Sequence, residues 1–250
     1  MKFSIITCTW NSAATLPETI ASVNAQTDVE IEHIFVDGGS RDSTLEQIAT
    51  MAPKARVLKD VGGGISRAMN EGIRAATGDV IAHLHSDDYY RDPSVLADVA
   101  DALSGGALWA VGHTDLLVGD VLVEGRGNAG PITHARYVRG AATIPHPAVF
   151  VRRGLFERAG YFDEGLRYAM DIDLWLRMLP LAEPVLVRRA LAVFREHAGS
   201  VSTANVLAAR REELAVRMRH AARNPLGSAV FGLRYWRRIR RLRRELAQRG

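Results

Sequence analysis

The chain has 250 residues, 47% hydrophobic and 24% charged, which suits one large α/β domain and excludes a disordered or fibrous protein. Its single cysteine, Cys8, rules out an intrachain disulfide, and the apolar segment around it makes a buried, inert thiol the expectation. The net charge of +4 is uneven: thirteen arginines against three glutamates give Asn205 to Gly250 a net +10, leaving the residues before it at −6, an acidic body that argues against nucleic-acid binding.

The first residues are too briefly apolar for a signal peptide, and no run of about 18 apolar residues would span a bilayer. The expected location is the cytoplasm or the cytoplasmic face of a membrane. Residues 3–9, β-branched and apolar, read as a buried strand ended by Asn11. A helix follows, with Thr15 as N-cap and Pro17 in its first turn. Residues 31–36 form a second strand, closed by Asp37-Gly38-Gly39-Ser40, and Asp42 or Ser43 opens a second helix ending near Ala52-Pro53. A short strand at 56–59 and the turn Gly62-Gly63-Gly64 precede a helix over 66–76. Gly78 breaks that helix before a fourth strand at 79–84, which leads into His85-Ser86-Asp87-Asp88.

Beyond Asp88 the pattern predicts a helix over 93–103, two strands within 108–123, a loop at 125–130 and a strand at 148–151. A helix over 171–179 and a strand–turn–strand over 185–195 complete a domain of residues 1–204, followed by a basic tail of 205–250. Strands alternating with helices predict a mainly parallel sheet with right-handed crossovers. Such sheets bind ligands outside the carboxyl ends of their strands. Thr9, Asn11, Asp37, Asp60, Asp87 and Asp88 all fall at those ends. Each aspartate alone suits a turn or cap, but gathered acidic ends repel one another unless a cation or ligand compensates them.

Seven blocks in order then carry a resemblance. They are Ser4-Ile5-Ile6-Thr7 with Asn11; Val36-Asp37-Gly38-Gly39-Ser40 with Asp42 and Thr44; and Ala68-Met69-Asn70-Glu71-Gly72 with Ala76-Thr77-Gly78-Asp79. After these come Ser86-Asp87-Asp88, Gly160-Tyr161-Phe162-Asp163-Glu164, Asp171-Ile172-Asp173-Leu174-Trp175, and Arg195-Glu196-His197 with Gly199-Ser200. From about Phe3 to Ser202 the chain resembles the family 2 glycosyltransferases, whose α/β domain is called GT-A. The resemblance implies an inverting transfer of a sugar from a nucleotide diphosphate donor to an acceptor hydroxyl, in bacterial polysaccharide or glycolipid synthesis. It implies a donor site of Thr7, Thr9, Asn11, Asp37, Arg67, Asn70, His85 and Asp87, with Asp37 accepting a hydrogen bond from the base. A divalent cation, Mg²⁺ or Mn²⁺, would sit on Asp87 and His197, with Asp88 supporting the loop. His85 stands where the family commonly has the first aspartate of Asp-x-Asp, and an imidazole there favours softer ions. His146, between Pro145 and Pro147, resembles a recurring family segment without an assigned role.

Inverting transfer needs a base for the acceptor hydroxyl and charge stabilisation for the departing diphosphate. Asp171 and Asp173 lie two apart on the predicted helix, so at most one faces the cleft. The resemblance puts the base at Asp171 and leaves Asp173 as cap or acceptor-side contact; Met170 stands where a glutamate is common. In the tail, Phe231, Tyr235, Ile239, Leu242 and Leu246 form an apolar stripe beside Trp236, with Arg237, Arg238, Arg240, Arg241 and Arg244 opposite. That pattern fits a helix lying on an anionic membrane, or one packed on the domain or a second subunit. The acceptor expected is a saccharide or lipid-linked saccharide. Two competing readings are a catalytically inactive domain that binds a nucleotide-sugar or a membrane partner, and a sugar-nucleotidyltransferase. Against the latter, Thr9-Trp10-Asn11-Ser12 lacks a basic phosphate loop, and no G-x-G-x-x-G follows the first strand as a dinucleotide oxidoreductase would need.

Overall fold

Strand β1 (Lys2–Thr9) is buried along nearly its whole length, so it must be covered on both faces. Its side chains alternate accordingly: Phe3 and Ile5 enter one core, while Ile6 and Cys8 enter another. In the computed structural model, residues 1–196, 205–221, 229, 232, 233, 235–237, 239–241 and 244 are described. After α1 (Leu16–Asn24), β2 (Glu30–Asp37), α2 (Thr44–Met51), β3 (Arg56–Leu58), α3 (Ile65–Ala75) and β4 (Val80–His83) follow in turn. These four strands pair in parallel in the order β3-β2-β1-β4, as the alternating pattern predicts. Helix α3 lies so close to β1 that a Cβ at Gly72 would stand 2.4 Å from Ile6 Cγ2, so only glycine fits there.

The second half is β5 (Tyr89–Tyr90), α4 (Val95–Ser104), β6 (Trp109–Val118), β7 (Val121–Val123) and α5 (His134–Val138). Then come a 3₁₀ turn at His146–Ala148, β8 (Val149–Arg152), α6 (Arg153–Ala159), α7 (Met170–Met178), β9 (Val185–Glu196) and α8 (Val206–Ala221). The expected mainly parallel sheet is present, and antiparallel strands extend it. β8 runs antiparallel to both β4 and β6, β6 runs parallel to β9, and β5 antiparallel to β9, giving a mixed sheet of order β3-β2-β1-β4-β8-β6-β9-β5. The strand–turn–strand expected over 185–195 is one strand of 12 residues. Its pairing with β6 shifts register on either side of His113, so a bulge replaces the turn. Within that stretch Arg189 pairs with Asp92 and Asp98 across to the start of α4.

Helices cover both faces. Ala68, Met69 and Ile73 of α3 join Leu174, Trp175 and Met178 of α7 in one core, and Val95, Leu96 and Val99 of α4 back the other. Helix α8 belongs to the first of these: Val216 is fully buried and Ala221 nearly so. Packing therefore continues past the expected boundary at residue 204. Phe231, Arg238, Leu242 and Leu246 of the predicted tail stripe, and His197, lie outside the described residues.

Candidate active site

The carboxyl ends of β1 and β4 and the start of α7 open onto one cleft of about 620 Å³. Thr9, Trp10 and Ser12 line it from the end of β1, His85, Ser86, Asp87 and Asp88 from the end of β4, and Gly62, Gly63 and Gly64 from the turn before α3. His146, Tyr168, Met170 and Asp171 close the opposite side. The topology explains this gathering, since a parallel sheet delivers its strand ends to one edge. Gly64, at φ 92, turns the chain into α3 in a conformation that L side chains rarely adopt.

The carboxylates in and around the cleft differ sharply. Asp171 is half-buried, and burial pushes its carboxyl up to about 6, against the hydrogen bond its Oδ1 accepts from the Ile172 N–H at 2.7 Å. Asp88 is buried, and desolvation together with the charge of Asp87 holds its carboxyl well above the ordinary range. Its Oδ1 accepts the Arg195 N–H at 3.2 Å and its carbonyl accepts the Thr19 hydroxyl at 2.7 Å, contacts that tie the loop to β9 and α1.

Several expected site residues do other work. Asp37 is fully buried and does not line the cleft. Its Oδ1 accepts the N–H groups of Gly39 and Ser40, both at 2.9 Å, and its Oδ2 accepts the hydroxyls of Thr9 at 2.9 Å and Ser40 at 2.5 Å. Burial would raise its carboxyl, but these bonds outweigh burial and hold it below the usual range. With its acceptor positions filled, Asp37 builds the turn after β2 rather than reaching a base. Asn70 is corrected likewise: its amide donates to the Phe162 carbonyl at 3.0 Å and Glu164 Oε1 at 2.9 Å, and accepts the Phe162 N–H at 2.9 Å, all away from the cleft. Thr7 points into the core, where its hydroxyl meets His33 Nε2 at 3.0 Å.

Asn11 stands at the rim with φ 49 and ties the first loop to the second, its Oδ1 accepting the Arg41 N–H at 2.8 Å. Arg67 is exposed and folds back over Gly63, short of the cleft. Asp173 turns from the cleft to an ion-pair cluster, with Arg177 at 2.8 Å and His220 of α8 at 3.0 Å. Burial would raise its carboxyl, but the hydrogen bonds of His220 and Arg177 hold it low. Of the two helix aspartates, only Asp171 faces the cleft, as the helical spacing requires.

Three histidines were underread. His85 and His146 stack with centroids 5.0 Å apart and planes at 12°, and His83 lies 5.5 Å behind His146. Burial depresses all three, aided at His146 by its neighbours, and pushes His83 down to about 3, so the stack is neutral near pH 7. His85 Nδ1 and His146 Nε2 are buried without a hydrogen-bond partner. Pro145-His146-Pro147 held the only sequence hint of this, a histidine fixed by flanking prolines. Trp10, 69% exposed at the cleft mouth, is a second aromatic that the pattern reading passed over.

An α/β fold with a cleft of this composition at its strand ends is the form of a nucleotide-sugar transferase domain. The chain belongs to the glycosyl transferase family 2, whose model matches residues 4–145. It is 36% identical over 197 residues to an uncharacterized glycosyltransferase of Mycobacterium tuberculosis, covering 76% of this chain and 74% of that one. In fold it resembles S. aureus TarS 1-349 in complex with UDP-GlcNAc, at TM-score 0.74 and 22% identity over 89% of this chain and 66% of that one. It also resembles the mannosyltransferase PcManGT from Pyrobaculum calidifontis in complex with GDP-Man and Mn²⁺, at TM-score 0.66 and 16% identity over 94% and 69% of the two chains. The chain thus spans just under two thirds of TarS 1-349.

Proposed function

We propose that this glycosyltransferase moves one sugar, with inversion at the anomeric carbon, from a nucleotide diphosphate donor to a hydroxyl of a saccharide or lipid-linked acceptor. The reading is carried by one cleft that holds Asp87 at the end of β4 and Asp171 at the start of α7, with Asp171 raised by burial to about 6. A base with that value is deprotonated at neutral pH yet retains affinity for a proton. Asp171 takes the acceptor hydroxyl proton as the new carbon–oxygen bond forms and the bond to the diphosphate breaks. On the donor side, Thr9 and the glycine turn face the nucleotide, Trp10 offers a ring for stacking, and the neutral His85–His146 pair presents imidazole nitrogens to sugar hydroxyls.

The family's divalent cation fits a single-carboxylate site here. Among the described residues no three His, Cys, Asp or Glu side chains gather to hold a metal, and burial with the Asp87 charge raises the Asp88 carboxyl. Mg²⁺ and Mn²⁺ are commonly held by one or two carboxylates together with substrate phosphates and water, which makes Asp87 the proposed ligand among the described residues, with His197 outside them. Bound there, such an ion would offset the charge of the leaving diphosphate. In this reading the transferase unit extends from residue 1 through α8, and the rest of the basic tail lies beyond it. Exposed Leu233 and Trp236, with the Arg240 guanidinium 4.1 Å over the Trp236 ring, support peripheral contact with an anionic cytoplasmic membrane face. No helix among the described residues is long and apolar enough to cross a membrane.

The test is a panel of UDP-, GDP- and dTDP-sugars offered with saccharide and lipid-linked acceptors, read by nucleotide release and by the anomeric configuration of the product. An α-linked donor should give a β-linked product. A product retaining the donor's configuration would overturn the single-displacement reading.

A further inference from the structure

The loop leading into α7 is held by a residue far along the chain. Glu212 of α8 accepts on Oε1 the backbone N–H groups of Arg167 at 3.0 Å, Tyr168 at 2.6 Å and Ala169 at 2.8 Å, and Oε2 adds Arg167 at 3.2 Å. Ala169 immediately precedes α7, and that helix end has no side-chain cap of its own. Glu212 therefore supplies from outside the acceptor that a helix N-terminus needs, with the charge that its dipole favours. Of the residues so held, Tyr168 lines the cleft, and the chain runs directly on from Ala169 to Met170 and Asp171, which line it too.

Helix α8 is itself firmly seated. Val216 and Ala221 enter the core, Glu213 bridges Arg210 and Arg217, the Arg217 guanidinium donates to the Tyr137 carbonyl, and His220 meets Asp173 on α7. We infer that Glu212 is a positioning residue, gathering three successive backbone N–H groups so that the start of α7 sets where the Asp171 carboxyl stands. This rests on Asp171 being the base. It also gives α8, which the sequence pattern assigns to an appendage, a part in the chemistry. A neutral acceptor cannot replace it fully, because charge-assisted bonds to N–H groups are the stronger ones and an amide offers only one oxygen.

The experiment compares the full-length protein with Glu212→Ala, Glu212→Gln and Glu213→Gln. Two quantities are followed: amide exchange over 167–172, and the ¹³C carboxyl titration of Asp171, assigned by its loss in Asp171→Asn. Facing Asp171 are Glu213 and Arg217 of α8 and Tyr137 of α5, so Glu213→Gln controls for a simple change of charge. Glu212→Ala should speed exchange of the three amides at least about tenfold. It should also lower the Asp171 midpoint toward the ordinary carboxylate value, as water reaches a loosened helix start. Glu212→Gln, which keeps the volume and carries the test if the alanine variant does not fold, should fall between the two. Glu213→Gln should leave exchange at 167–169 unchanged. Unchanged exchange in Glu212→Ala or Glu212→Gln, or faster exchange with the Asp171 midpoint unmoved, overturns the inference. Wild-type transfer by Asp171→Asn would instead remove Asp171 from the chemistry and leave the exchange result standing.

Discussion

Replacing Asp171 by asparagine should stabilise the protein at neutral pH while stopping it from working. Its carboxyl is raised from an ordinary value of 3.8 to about 6 by burial, so the ionised form is disfavoured in the folded state. A shift of about two units corresponds to about 3 kcal/mol. The sign follows from proton binding. Because the folded value lies above the unfolded one, the contribution to stability is complete below about pH 4 and is lost as pH rises through 6. Above that, the wild type carries the cost of a buried charge, and Asp171→Asn does not. Local relaxation and water entry will reduce the full figure, so a gain of about 1–3 kcal/mol at pH 7.5 is expected, or roughly 3–10 °C in Tm for a chain of this size. At pH 4.5 the gain should fall to about a third of that figure. Asp37 and Asp173, whose carboxyls are held low, act in the opposite direction but are shared by both proteins and cancel. The assay is thermal unfolding of both proteins at pH 4.5, 6.0 and 7.5, beside single-turnover transfer at saturating donor. Wild-type transfer should rise through about pH 6, and the variant should be slower by at least about 10²-fold. An equal Tm difference at every pH would show that the charge of Asp171 is not what burial disfavours. Near-normal transfer by the variant would place the base elsewhere.

A uridine, guanosine or thymidine diphosphate should raise Tm only with Mg²⁺ or Mn²⁺ present, and Asp87→Ala should abolish that metal-dependent part; equal shifts in chelator would refute the metal role. Truncation after residue 221 should leave a folded domain that no longer sediments with anionic liposomes, whereas truncation after 204 should lose cooperative unfolding because Val216, Ala221 and Glu212 go with it. Retained liposome binding by the 1–221 chain would assign the tail another task.

The first half of the fold was legible because its signals are local. Buried parallel strands must be apolar on both faces, the stops Asn11 and Gly38-Gly39 fall where the chain leaves the sheet, and Gly78 falls where it leaves α3 for β4. In the second half the elements were legible but not their pairing, because β8 and β9 pair with strands remote in sequence, and no period-2 pattern says whether a partner runs parallel or antiparallel. The turn expected within 185–195 is absent, since that stretch is one paired strand. In the structure Arg189 finds two aspartates whose proximity no local window contains.

The site divides along the same line. That polar residues gather at one sheet edge followed from topology, but which of them remain free for a ligand depends on partners that folding brings together. The acidic ends expected to repel one another do not act as equal charges. Asp37 has its oxygens occupied by Thr9, Gly39 and Ser40, Asp88 is pressed toward its protonated form, and Asp60 does not line the cleft. For a cation this leaves, among the described residues, Asp87 and the charge the diphosphate itself brings, with His197 outside them. Asn70 makes the same point from the other side. Its place in a recurring block suggested donor contact, yet a buried amide must satisfy its donors and acceptor, and the nearest backbone able to do so is that of Phe162. A sequence motif preserves the residue but not its partner. For Asp171 and Asp173, helix spacing allowed at most one of the two to face inward, and it was the family resemblance, not the spacing, that pointed to Asp171.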